Sequence, residues 1–111
     1  MSYKVIPTPE FIKNLKILNK KYKNIKKDIL RLANELELNP TMGVSLGNNI
    51  FKIRLKNSDI NKGKSAGYRV ITYLVNEKNE ISLITIYSKS DKENILDVEL
   101  KEMIDKYVIS Y

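Results

Sequence analysis

The chain has 111 residues, 42% of them apolar, which is enough for one modest core, so residues 1–111 read as a single domain. It has no cysteine and no histidine. This excludes disulfides and thiolate metal sites and leaves acid–base chemistry near neutral pH to Lys, Tyr, Asp, Glu or water. Twenty Lys and Arg against 13 Asp and Glu give a net charge of +7 and point to a polyanionic partner.

No apolar run reaches the ~18 residues needed to span a membrane, so no membrane partner is expected. The opening residues lack the apolar stretch of a signal peptide, and a cytoplasmic location is expected. No carboxylate cluster has the spacing of a magnesium or zinc site. Asp59 stands alone among basic residues, and Asp91 and Glu93 flank Lys92. A metal-dependent nuclease is therefore not expected, and neither is a cofactor.

Residues 3–7 read as a short strand. Thr8-Pro9 has the form of a helix start, with Thr8 as N-cap and Pro9 at the first helical position. Phe11, Leu15 and Leu18 follow at helical spacing, and the helix ends in the basic tip 20–24. A second helix is predicted over 25–38, with Ile25, Ile29, Leu32, Ala33 and Leu36 on its apolar face and Asn39-Pro40 ending it. The short gap between the two implies an antiparallel helical hairpin.

Residues 41–49, with Gly43 and Gly47, read as a loop. From Ile50 the pattern alternates. Phe51, Ile53 and Leu55 should face a core, and Lys52, Arg54 and Lys56 the other side. Residues 57–67 read as a loop, 68–75 and 81–87 as strands joined by a hairpin. In the last element Ser90 and Glu93 have capping-box spacing, and Leu96, Leu100, Met103, Ile104 and Tyr107 mark one face of a helix. The order strand, helix, helix, three strands, helix predicts an α+β fold. An antiparallel sheet packs on the N-terminal helical hairpin, with a C-terminal helix and a basic opposite sheet face.

Between 52 and 69 the basic residues are Lys52, Arg54, Lys56, Lys62, Lys64 and Arg69, with Asp59 the only acid. Lys89 lies just past the last strand. If the strands are neighbours, these groups can converge on one patch. Metal-free RNA cleavage needs a group to take the proton of a ribose 2′-OH, another to protonate the leaving 5′ oxygen, and cations for the charge building on the phosphate. Arginine suits the last task through its permanent charge and fork of donors. A lysine can act as base only when neighbouring cations depress its pKa. Tyr73 and Tyr87 could stack on a base or donate a hydroxyl, and equally could be rim or core aromatics. Lysines on a strand face or on the helical hairpin are also common as plain solvated surface.

Three stretches carry a resemblance: Phe51-Lys52-Ile53-Arg54-Leu55-Lys56, then Lys62-Gly63-Lys64-Ser65-Ala66-Gly67-Tyr68-Arg69-Val70-Ile71-Thr72-Tyr73, and Leu83-Ile84-Thr85-Ile86-Tyr87-Ser88-Lys89. In series they resemble toxins of the RelE/ParE superfamily, most closely its HigB-like branch. The resemblance covers nearly the whole chain and implies a RelE-like fold. It also implies a type II toxin that cuts messenger RNA on the ribosome by 2′-OH attack, partnered by a cognate antitoxin, often a helix-turn-helix protein. By position, Arg69 matches the arginine on the scissile phosphate, Lys52 and Arg54 the basic pair beside the attacking hydroxyl, and Lys89 the cation that completes the site. With Tyr87 these form the expected catalytic set; Lys56, Lys62, Lys64, Tyr73 and Lys92 are the expected RNA contacts. Some members of the family place a catalytic tyrosine at the start of the last helix, where this chain has Ile95. Two other readings share the fold: a ParE-like inhibitor of DNA gyrase and a non-catalytic toxin homologue.

Overall fold

A computed structural model describes residues 3–61, 63, 66–90 and 97–110. Strand β1 (Lys4–Pro7) leads into helices α1 (Pro9–Lys21) and α2 (Ile25–Leu38). Four strands follow, β2 (Val44–Gly47), β3 (Ile50–Leu55), β4 (Tyr68–Val75) and β5 (Glu80–Ser88), and then helix α3 (Asp97–Ser110). The α1 start forms as its sequence dictates. Thr8 is extended, its hydroxyl accepts from the Phe11 N–H at 3.3 Å, and Pro9 occupies the first turn.

The sheet order is β1-β5-β4-β3-β2. Strands β2 to β5 are antiparallel neighbours, while β1 pairs in parallel with β5, so the sheet is mixed rather than wholly antiparallel. The 41–49 segment, expected as a loop, contains β2. Asn48 and Asn49 both adopt positive φ, 53° and 63°, which is the backbone a tight hairpin turn demands and Asn tolerates. That turn folds Val44 and Ser45 back onto Lys52 and Phe51.

The helical hairpin covers one face. Phe11, Leu18, Ile25, Leu32 and Leu36 pack on inward positions of the strands, among them Ile53, Val70 and Ile86. The opposite face carries a second cluster: Ile50, Ile71 and Ile84 with Tyr73, covered by Leu100, Met103 and Ile104 of α3. The expectation of a basic opposite face therefore holds for one end only. β4 and β5 read as near-continuous apolar runs because both of their faces are covered at the other. Leu96 and the Ser90–Glu93 capping box involve residues outside those described, as does the side chain of Tyr107. Among the described residues, no helix is long and apolar enough to cross a membrane.

Candidate functional site

The alternation of β3 and β4 puts Lys52, Arg54 and Arg69 on the sheet face that α3 shares, and the strand register sets their spacing. Arg54 lies directly opposite Arg69 across β3–β4, and Arg69 directly opposite Tyr87 across β4–β5. These three form one transverse row, with neighbouring Cβ atoms about 5 Å apart. The next row is Lys52, Ile71 and Thr85. Past the end of β5 the Lys89 N–H still bonds the Gly67 carbonyl at 2.9 Å, so the ladder runs one pair further and brings Lys89 beside the row. Gly67 is needed there, because a Cβ on it would collide with the Leu55 carbonyl oxygen.

Arg69 is only 4% exposed, and its guanidinium donates from Nη1 to the Tyr68 carbonyl at 3.3 Å. Burial pushes its pKa below the usual arginine value, and the charge of Arg54 pushes the same way; Tyr87 acts in the opposite direction. Two like charges directly opposite on a sheet are unfavourable, and burial removes the water that would soften the cost. Tyr87 is 8% exposed, and its hydroxyl has no hydrogen-bond partner among the described residues. A buried, unsatisfied hydroxyl beside a buried guanidinium is costly to stability, and that is the arrangement expected where an anion is to be received. Arg54 stands exposed and Lys52 and Lys89 half-buried around this pair.

The other expected contacts divide. Tyr73 sits in the cluster under α3, two rows from Arg69, as a packing residue. Lys56 lies beyond β3 and lines a hollow of its own with Arg31 and Ser58. Lys62, Lys64 and Lys92 lie outside the described residues, as does Ile95. Sequence reasoning treated Asp59 as isolated, but its carboxylate accepts from the Asn24 N–H at 2.9 Å and from Asn24 Nδ2 at 2.8 Å. It also missed Asp28, which is wholly buried and accepts from the Ser58 N–H at 3.1 Å. These bonds tie the loop after β3 to the helical hairpin. A readable signal was the Asn57-Ser58-Asp59 run, whose Asp59 N–H bonds Asn57 Oδ1 at 2.9 Å in an Asx turn. Among the described residues, no group of three acidic side chains could hold a metal ion.

Three solved structures share this architecture. A mutant of the E. coli toxin RelE in the free state superposes with a TM-score of 0.59 at 19% identity, covering 84% of this chain and 90% of that one. The RelBE2 toxin-antitoxin complex of Mycobacterium tuberculosis gives 0.55 at 17% identity, covering 79% and 99%. The intact E. coli RelBE toxin-antitoxin complex gives 0.53 at 19% identity, covering 78% and 96%. At these identities the likeness establishes the fold. The sequence model of the RelE toxin of RelE/RelB toxin-antitoxin systems matches residues 11–108, and the chain belongs to that toxin family.

Proposed function

We propose that this toxin is a metal-independent endoribonuclease that cuts messenger RNA on the ribosome, and that a cognate antitoxin holds it in check. The observation that carries the reading is the row Arg54–Arg69–Tyr87, with Lys52 one row along and Lys89 at the strand end. In the reaction the 2′ oxygen bonds to phosphorus, the bond from phosphorus to the 5′ oxygen breaks, and one proton leaves the first oxygen as one reaches the second. Arg69 and Arg54 neutralise the charge that gathers on the non-bridging oxygens. Their geometry is set before substrate arrives, so little reorganisation opposes the step. The Tyr87 hydroxyl is a donor available for the leaving 5′ oxygen. Lys52, one row along, and Lys89, at the strand end, add positive charge beside the same row. The antitoxin partnership rests on the family, whose solved relatives include toxin-antitoxin complexes.

The test is to add purified protein to a translating extract and map messenger ends by primer extension. New 5′ ends should appear only when ribosomes are present, and Arg69→Ala should abolish them. Intact messenger, with DNA-damage signalling on induction in cells, would move the assignment to gyrase inhibition. A small adjacent gene whose product co-purifies with the chain would identify the antitoxin.

A further inference from the structure

Past the end of β3 lies a hollow of about 340 Å³ lined by Arg31, Lys56, Ser58, Asp59, Ile60 and Asn61. Arg31 is held at one corner only. Its Nη2 lies 3.3 Å from the buried Asp28 carboxylate and donates to the Lys56 carbonyl at 3.5 Å. The side chain is 47% exposed, and its Nε and Nη1 have no partner among the described residues. The Lys56 ammonium has none either. Both carboxylates nearby are already engaged: Asp28 takes Arg31 and the Ser58 N–H, and Asp59 takes both nitrogens of Asn24. What the hollow offers a ligand is thus the free edge of a guanidinium, an ammonium, the Ser58 hydroxyl and the Asn61 amide. An arginine pinned by a buried acid loses little freedom on binding, so its open fork suits an oxyanion.

Lys56 is two residues beyond Arg54, about 7 Å along the strand. We infer that this hollow is a second phosphate subsite, taking the backbone phosphodiester of a nucleotide that flanks the one held by Arg54 and Arg69 on the same RNA strand. The inference rests on the proposed RNA reading and extends it from one phosphate to a track along β3. Arg31, on a helix of the opposite layer, would then help set how the strand runs through the site.

The experiment uses the whole chain and single-stranded RNA carrying a 2′-deoxy nucleotide at its centre to block cleavage. A trinucleotide is compared with oligonucleotides extended by three nucleotides on either side. Extension on one side should tighten binding by about tenfold, the size of one charge-assisted contact. It should also shift the backbone amide resonances of Ser58 and Asn61. Lys56→Ala and Arg31→Gln should each remove that gain, so that the extended oligonucleotides bind each variant no more tightly than the trinucleotide binds the same variant. The slope of log affinity against log salt should fall by about 0.7 for each lost contact. Lys56 is exposed, so its variant folds even if Arg31→Gln, which strips Asp28 of its partner, does not. No gain with length, or a gain that survives Lys56→Ala, overturns the subsite. Inorganic phosphate shifting the same amides with no dependence on RNA length overturns it too, in favour of a free-anion site. Arg69→Ala reports separately on the proposed function: unchanged trinucleotide binding in that variant counts against the catalytic row and leaves the Lys56 result to be read by itself.

Discussion

At one end of the sheet face that α3 shares, Ile50, Ile71, Tyr73 and Ile84 meet Leu100, Met103 and Ile104. At the other end the same alternation presents Arg54, Arg69 and Tyr87. From Tyr73 to Arg69 is four residues, about 13 Å of strand. Over that distance one surface changes from a core that lowers the free energy of the fold to a site that raises it. The helix covers the first end, and the second keeps a buried cation opposite another cation and a hydroxyl with no hydrogen-bond partner among the described residues. The contrast teaches that burial alone does not separate scaffold from site. Ile71 and Arg69 are adjacent on one face and similarly buried, yet one is packed among apolar side chains and the other carries a charge opposite a second cation.

The largest expected effect that tests this contrast is on activity. Arg69→Ala should lower messenger cleavage by about 10²–10³-fold, as removal of a preorganised charge donor does. It should leave the circular dichroism spectrum and the melting transition of the domain intact. Its neighbour Ile71→Ala should do the reverse. Loss of a wholly buried side chain in the α3 cluster should cost roughly 2–4 kcal/mol in denaturant unfolding. If the two variants lost stability equally, the division of the face into core and site would be wrong.

Much of this division was legible in the sequence, for definite reasons. Period two assigned Lys52, Arg54 and Lys56 to one face, with Arg69 joining them once the strands pair as neighbours, and Thr8-Pro9 and Asn39-Pro40 marked helix ends through local chemistry that needs no tertiary partner. Other features depend on pairings between distant residues and were hidden. Val44 to Gly47 becomes a strand only because β3 lies beside it, although Asn48-Asn49 was a hairpin signal within reach. Nothing in residues 4–7 says that they run parallel to β5. The run of β-branched residues in β5 conceals an irregularity: pairing shifts between Ile71 and Thr72, so that Ile84 is an extra residue and faces α3. By residue type Tyr73 could stack on a base or pack as a core aromatic. Its place in the α3 cluster depends on where that helix lies along the sheet, which β4 alone does not reveal.

Tyr87→Phe sharpens the comparison at smaller scale. It deletes a buried oxygen that has no hydrogen-bond partner among the described residues, so stability should hold or rise slightly. Cleavage should fall by about 100-fold if that hydroxyl protonates the leaving oxygen. Unchanged cleavage would remove Tyr87 from the chemistry and leave it as a wall of the site.

The smallest effect concerns the cost of the site itself. Burial first, and Arg54 second, lower the Arg69 pKa below its ordinary value. The cationic form is therefore less favourable in the native state than in the unfolded chain, which binds the proton more tightly. By linkage that cost is present in full at every pH below the lowered value, and is relieved only as alkaline pH approaches the unfolded value. Replacing the charge with a side chain of similar length, Arg69→Met, should then stabilise the domain by about 1 kcal/mol, because a cation buried opposite a second cation gives way to apolar packing. The gain should be the same from pH 5 to pH 8, since arginine stays charged across that range in both states. A gain that varied with pH would point to another titrating group in the row. A loss of stability would show that Arg69 holds this end of the sheet together, as Ile71 holds the other, and the contrast between the two ends would fail.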